Sequence, residues 1–160
     1  MQRFSDVVGS PTRISYYPFG VDIHETKTGI SYAPMLCYES VFPLKMAQKA
    51  NESELITVSA NENWNKDLGG SKQYLYNSVA MAIQSRIPVI KSSNSGVSAI
   101  IDKKGNILGE RTGRNSGLIT REVELNDGPT TYSLFSGAFY WLGTLAAIIF
   151  WLMSLWAVFK

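Results

Sequence analysis

An α/β layered fold is predicted, on three observations. Leu55-Ile56-Thr57-Val58 is apolar and β-branched on both faces, as a buried strand is. Leu75, Val79, Ile83 and Ile87 recur every four residues, with Ala80 and Ala82 beside them, which is one stripe of an amphipathic helix. Short strands and helices alternate along the chain and then give way to a hairpin, the pattern of a layered sheet-and-helix domain.

Each element follows in order. Residues 1–29 are loop-like, punctuated by Pro11, Pro18, Gly20 and Gly29. Ile30 to Leu36 is a short strand that ends at Cys37. Val41 to Ala50 is a helix, with Pro43 tolerable only in its first turn, where a missing N–H costs nothing. The buried strand at Leu55 runs into the polar stretch Ser59 to Lys66. Gly69-Gly70 then precede the striped helix, which Ser71 is placed to cap. Pro88 closes that helix and opens a strand at Val89-Ile90. Val97 to Asp102 is the next strand, and Asp102-Lys103-Lys104-Gly105-Asn106 has the turn chemistry of a hairpin returning through Ile107-Leu108. Leu118 to Leu125 reads as a last strand with Ile119, Val123 and Leu125 on one face.

The tail is of another kind. Every charged residue but Lys160 lies in the first 127 positions. Leu134 to Phe159 is largely apolar, and about 20 residues at roughly 1.5 Å each suffice to cross a bilayer core. Residues 134–159 are therefore expected to be a transmembrane helix, with Tyr140 and Trp141 near one interface and Trp156 near the other. Lys160 hints at a cytoplasmic C-terminus. Met1 to Asp6 has no apolar core of a signal peptide. As a whole product the chain would be tail-anchored with residues 1–128 in the cytoplasm; as the end of a longer one, upstream spans could put them on the far side.

Composition excludes several classes. With 45% hydrophobic and 18% charged residues the chain is neither disordered nor collagen-like. A net charge of +2 without a basic run gives no nucleic-acid arm, and Lys103-Lys104 belong to a hairpin turn. One cysteine excludes a disulfide framework, and one histidine, His24, excludes a histidine cage or triad. Asp22, His24 and Glu25 read as solvated loop residues, so neither metal nor cofactor is expected. Asn51-Glu52-Ser53 fits a glycosylation sequon, a triplet common by chance.

Cys37 sits where a strand gives out and a helix is about to begin. Backbone N–H groups there can stabilise a thiolate and a developing oxyanion, although a single cysteine taken alone is more often a small buried hydrophobe. Its company adds more. Cys37-Tyr38-Glu39-Ser40-Val41-Phe42-Pro43 closely resembles the nucleophile segment of the carbon–nitrogen hydrolase (nitrilase) superfamily, and within it the membrane branch of apolipoprotein N-acyltransferases. Asn61-Glu62-Asn63-Trp64 stands in for an Asn-Asp-x-Trp pattern. Gln73, Arg86-Ile87-Pro88 and Ser93 to Asp102 resemble the helix, exit and strand that follow. The resemblance covers roughly residues 16–159.

The resemblance implies the second half of a nitrilase-like α-β-β-α sandwich over residues 1–128, followed by the membrane helix. It implies a bacterial inner-membrane protein whose hydrolase-like domain lies on the periplasmic or outer side. Its chemistry would be acyl transfer from a phospholipid, through a thioester on Cys37, to the N-terminal amine of a diacylglyceryl-cysteine lipoprotein. Glu39 would be catalytic or site-organising, or else a helix N-terminal acid, and Tyr38 would lend an oxyanion N–H or simply pack. Trp64 and Asn61 would line the substrate pocket, or Trp64 would be core and Asn61, with Glu62, would stabilise the loop.

The family's general base Glu and its oxyanion-stabilising Lys precede the cysteine by long stretches. Only Glu25 and Lys27 are of those types upstream of Cys37, and they read as surface charges. The chain is therefore expected to be a C-terminal part, inactive alone, with an exposed apolar sheet face and an unpaired edge. Two other classes stay open: a membrane-tethered amidase, and a non-catalytic half-domain that binds a membrane partner.

Overall fold

The computed structural model describes residues 23–63, 68–113 and 117–158. Among the described residues, six strands form one mixed sheet in sequence order: β1 His24–Glu25, β2 Ser31–Leu36, β3 Leu55–Ala60, β4 Val89–Ser93, β5 Val97–Ile101 and β6 Ile107–Thr112. β2, β3 and β4 run parallel, while β1, β5 and β6 pair antiparallel to their neighbours. The parallel crossovers are α1, Pro43–Glu52, and α2, Leu68–Ser85.

The alternation of side chains on a strand decides where the core sits. Ala33 and Met35, Ile56 and Val58, Val89, and then Val97, Ala99 and Ile101 are all buried. They close against Met46 and Ala50 of α1 and Leu75, Met81 and Ala82 of α2. On the other parity of β2–β4, Leu36, Ser59 and Ser92 are exposed and Tyr32, Pro34, Thr57 and Ile90 half-buried.

Several sequence expectations change. The first 29 residues are not all loop, because His24 and Glu25 pair with Tyr32 and Ser31; residues 1–22 lie outside the description. The helix placed at Val41 divides into a 3-10 turn, Cys37–Val41, and α1, which starts at Pro43 with that proline at its first positions. Ser71 caps nothing: α2 starts at Leu68, so Ser71 is internal and buried. The stripe on α2 is incomplete. Ile87 lies beyond the helix end, and Ile83 is 47% exposed, its side chain lying against the hairpin turn at Gly105.

That turn is built as expected. Gly105 adopts a φ of +86°, and Asp102 Oδ1 accepts the N–H groups of Lys104 and Asn106, both at 2.8 Å. Leu118–Leu125 is not a strand. It follows β6 through side-chain contacts, with Arg121 Nε donating to Leu108 O at 2.8 Å, and Leu118 is 87% exposed. Alternation alone does not make a ladder without a partner edge in register.

The apolar tail is helix α3, Thr131–Val158, three residues longer at its start than expected. At roughly 1.5 Å per residue it is about 42 Å long. Thr130 and Ser133 cap it reciprocally: Ser133 N–H donates to Thr130 Oγ1 at 3.0 Å and Thr130 N–H to Ser133 Oγ at 2.8 Å. Its first turn is fastened to the domain. Asn51 Nδ2 donates to Ser133 O at 3.0 Å, and Thr130 Oγ1 to Gln84 O at 3.1 Å. Ser133 and Ser136 are buried there, whereas Leu134, Phe135 and the large apolar side chains from Phe139 to Trp156 are exposed. Thr131–Trp156 is long and apolar enough to cross a membrane.

Candidate active site

The carboxyl ends of parallel strands in an open α/β sheet are where ligands bind. Leu36, Ser59 and Ser92 stand abreast across β2, β3 and β4. Cys37 directly follows Leu36, at the edge where Ala60 and Ser93, themselves paired, end β3 and β4. It is half-buried and adopts a φ of +48°. That left-handed conformation costs a residue with a Cβ about 1–2 kcal/mol, so neighbouring bonds must impose it.

Those bonds come from the turn itself. Glu39 Oε2 accepts the Leu36 N–H at 2.9 Å, Ser40 Oγ donates to Cys37 O at 2.9 Å, and Phe42 N–H donates to Glu39 O at 3.2 Å. Glu39 Oε1 pairs with Lys45, one turn along α1. Lys49, a further turn on, is buried and donates to Pro34 O. Partial burial pushes the Glu39 carboxyl upward. The Lys45 bond, the Leu36 N–H and the charges of Lys45 and Lys49 outweigh it and hold the carboxyl below the usual glutamate range. Glu39 is thus an ionised brace around Cys37.

Tyr38 is 59% exposed; its ring meets Phe42 edge-on at 5.6 Å and Tyr74 of α2 at 6.4 Å. Burial raises the Tyr74 phenol, and the nearby Cys37, Tyr38 and Glu62 add to it, so Tyr74 stays protonated beside the cysteine.

The structure adds a pair that the sequence reading missed. Lys91 on β4 points into the core row, level with Val58 and Ala99, and is buried with Glu62 in an ion pair. Lys91 also donates to Val97 O at 2.8 Å. The signal is periodicity: Val89 and Lys91 share a face of β4, although the apolar run of the sequence ends at Ile90, just before the lysine.

Asn61 is exposed and structurally engaged. Its Oδ1 accepts Asn94 Nδ2 at 2.8 Å and the Asn63 N–H at 3.2 Å, while Asn94 Oδ1 accepts the Glu62 N–H at 3.1 Å. Trp64 lies outside the described residues. Glu25 and Lys27 are exposed, and His24 stacks on Tyr32 with ring centres 5.6 Å apart.

Residues 4–131 match the family described as Carbon-nitrogen hydrolase. The chain belongs to the carbon–nitrogen hydrolase family. Among curated relatives, the apolipoprotein N-acyltransferase of Geobacter metallireducens is 27% identical over 93% of this chain and 34% of its own length. That of Sinorhizobium fredii is 29% identical over 71% of this chain and 21% of its own length. The chain thus spans about a third or less of these relatives. A mutant Nesterenkonia AN1 amidase from the nitrilase superfamily superposes with a TM-score of 0.49 at 17% identity, over 61% of this chain and 38% of that one. The family expected from the motifs around Cys37 is borne out. So are the mixed sheet with its helices and the long apolar C-terminal helix.

Proposed function

We propose that this carbon–nitrogen hydrolase chain is the nucleophile-bearing part of a membrane N-acyltransferase. What carries it is Cys37, held in a left-handed turn at the carboxyl edge of the parallel strands by a carboxylate two residues on. The relatives' names and the apolar α3 support the choice of acyl transfer at a bilayer.

In this reading the Cys37 thiolate attacks the ester carbonyl of a membrane phospholipid. An S–C bond forms, the C–O bond breaks, and the lysophospholipid oxygen leaves with the proton that the general base took from the thiol. The N-terminal amine of a diacylglyceryl-cysteine lipoprotein then attacks the thioester; an N–C bond forms, the S–C bond breaks, the amine's proton passes to the general base and the thiolate returns. Glu39 shapes the turn and is a weak base, since Lys45 and the Leu36 N–H favour its ionised form. Backbone N–H groups after Cys37, Tyr38 among them, face the developing oxyanion. Asn61, in the loop after β3, is assigned to the binding of the acyl chain; the same role is assigned to Trp64 on the motif alone.

The resemblance implies a general base and an oxyanion lysine beside the cysteine, and neither the exposed Glu25 nor the exposed Lys27 is assigned to those roles. Residues 1–128 form part of the hydrolase domain, on the periplasmic or outer side of a bacterial inner membrane. Residues 134–159 span that membrane toward a cytoplasmic C-terminus. The test is Cys37→Ala in the natural polypeptide that contains these residues, read as the mass of lipoprotein N-terminal peptides. Loss of the N-linked acyl chain is expected; continued N-acylation overturns the proposal.

A further inference from the structure

Lys91 and Glu62 are both fully buried in a layer otherwise made of Val58, Val89, Ala99 and their neighbours. Isolated charges do not persist in such a place, and even a pair is weak as a source of stability against an apolar replacement. What this pair does is join two segments. Glu62 belongs to the loop after β3, and Lys91 to β4, which leads into the turn before β5.

Three further features serve the same joint. Asn94 in that turn bonds both the Glu62 N–H and Asn61 Oδ1. Lys91 ties the start of β5 through Val97 O. Gly96 is a glycine by necessity, because a Cβ there would collide with the Glu62 carboxylate and come within 2.9 Å of Ser71 Oγ. Glu62 is 1% exposed, so its carboxylate is held from within the protein, by Lys91.

The loop so held starts at Asn61, two residues beyond Ser59, whose β2 partner Leu36 directly precedes Cys37. Tyr74 of α2 meets the Tyr38 ring at 6.4 Å beside Cys37, and the charges of Cys37 and Glu62 add to the burial that raises its phenol. We propose that the buried Glu62–Lys91 pair, with Asn94 and Gly96, is a latch that holds the loop Asn61–Asn63 as one wall of the Cys37 cleft. Glu62, Lys91 and Asn94 are positioning residues; they act on the cysteine through the loop. The inference deepens the acyl-transfer reading, on which it rests for the role of Cys37.

Cys37 is the only cysteine, so iodoacetamide reports on it alone. The measurement is the alkylation rate of the whole chain in nanodiscs, with amide exchange at Glu62 and Asn63 and the thermal midpoint alongside. In the charge-neutral double variant Glu62→Gln with Lys91→Met, exchange at these amides is expected to rise about tenfold, because local opening no longer breaks an ion pair. Alkylation is expected to quicken about threefold as the wall loosens around the thiol. Lys91→Arg, which keeps the charge, should behave like the parent. Should the double variant not fold, Asn94→Ala removes the exposed link without stranding a charge, and the same two rates decide.

Unchanged exchange and alkylation overturn the latch, whatever the thermal midpoint does, since a merely structural pair moves only the midpoint. Lys91→Arg failing to the same degree as the double variant also overturns it. A parent Cys37 that iodoacetamide does not label overturns the acyl-transfer reading instead, and the latch with it.

Discussion

Glu39 Oε2 accepts the backbone N–H of Leu36 at 2.9 Å, so a carboxylate two residues after Cys37 is tied to the residue immediately before it. Its other oxygen pairs with Lys45 on α1. The turn, the end of β2 and the start of α1 are fastened through one side chain. A carboxylate so occupied, and held below the usual glutamate range, is a poor proton acceptor and a good brace.

That brace depends on charge, and its pH dependence has a definite sign. The folded state lowers the Glu39 pKa, so folding favours the ionised form. Its contribution is complete above the ordinary glutamate range and is lost as pH falls below that range, through the lower folded value. Glu39→Gln keeps an acceptor for Leu36 but not the charge facing Lys45. The stability gap between parent and variant, measured by denaturation from neutral pH into acid, should be constant at first and then close. A gap that widens in acid contradicts the assignment.

Arg86 adopts a φ of +53° just past Ser85, the end of α2, and is exposed. Helices commonly end on such a left-handed residue, and glycine takes it without a Cβ penalty. Arg86→Gly is expected to stabilise the fold by about 1 kcal/mol, measured by urea unfolding. A loss would mean that the arginine side chain contributes more than the strain costs.

At Gly96 the opposite holds. A Cβ there would meet the Glu62 carboxylate and Ser71 Oγ, and Glu62 cannot withdraw without abandoning Lys91. Gly96→Ala is expected to destabilise by about 1–3 kcal/mol, the usual range for overpacking. Gly113, whose added Cβ would meet nothing, serves as the control for spatial crowding; its φ of +97° separates strain from collision.

The parts of this fold that were legible in the sequence are those where one residue type serves one purpose. β-branched residues at Ile56 and Val58, and the Asp102–Asn106 turn, carry their own conformational preference. What was not legible depends on partners distant in sequence. Leu118–Leu125 alternates like a strand, yet has no ladder; Ser71 looks like a cap, yet serves the packing around Gly96. Cys37 has no intrinsic preference for a positive φ, so its geometry comes from Glu39, Ser40 and the end of β2. Lys91 at the end of an apolar run reads as the exit of a strand, because its counter-charge is 29 positions away.

The joint between domain and α3 gives a further prediction. Asn51 Nδ2 bonds Ser133 O at 3.0 Å, and Asn126 Nδ2 bonds Ala50 O at 3.1 Å, so the end of α1 is gripped from both sides. Asn126 is buried, and its loss leaves the Ala50 carbonyl unsatisfied. Asn126→Ala should cost about 1–3 kcal/mol and Asn51→Ala, half-buried, about 1 kcal/mol, by thermal unfolding in detergent. Equal effects would mean that burial does not set the difference.

The buried pair supplies the sharpest energetic test. Removing Lys91 alone, as Lys91→Met, strands the Glu62 carboxylate in the core row; removing the charge on Glu62 alone, as Glu62→Gln, strands the ammonium. Each should destabilise by about 3–5 kcal/mol, mostly through the uncompensated charge. The double variant strands neither, and methionine matches the lysine stem in length. It is expected to lose about 1–3 kcal/mol, well below the sum of the single variants, because no charge is stranded while the amide introduced at position 62 and the Val97 carbonyl lose their hydrogen-bond partner. Additive losses in the double-mutant cycle would show instead that the two side chains stabilise the fold separately, through contacts such as Lys91 with Val97 O, and that their mutual charge is incidental.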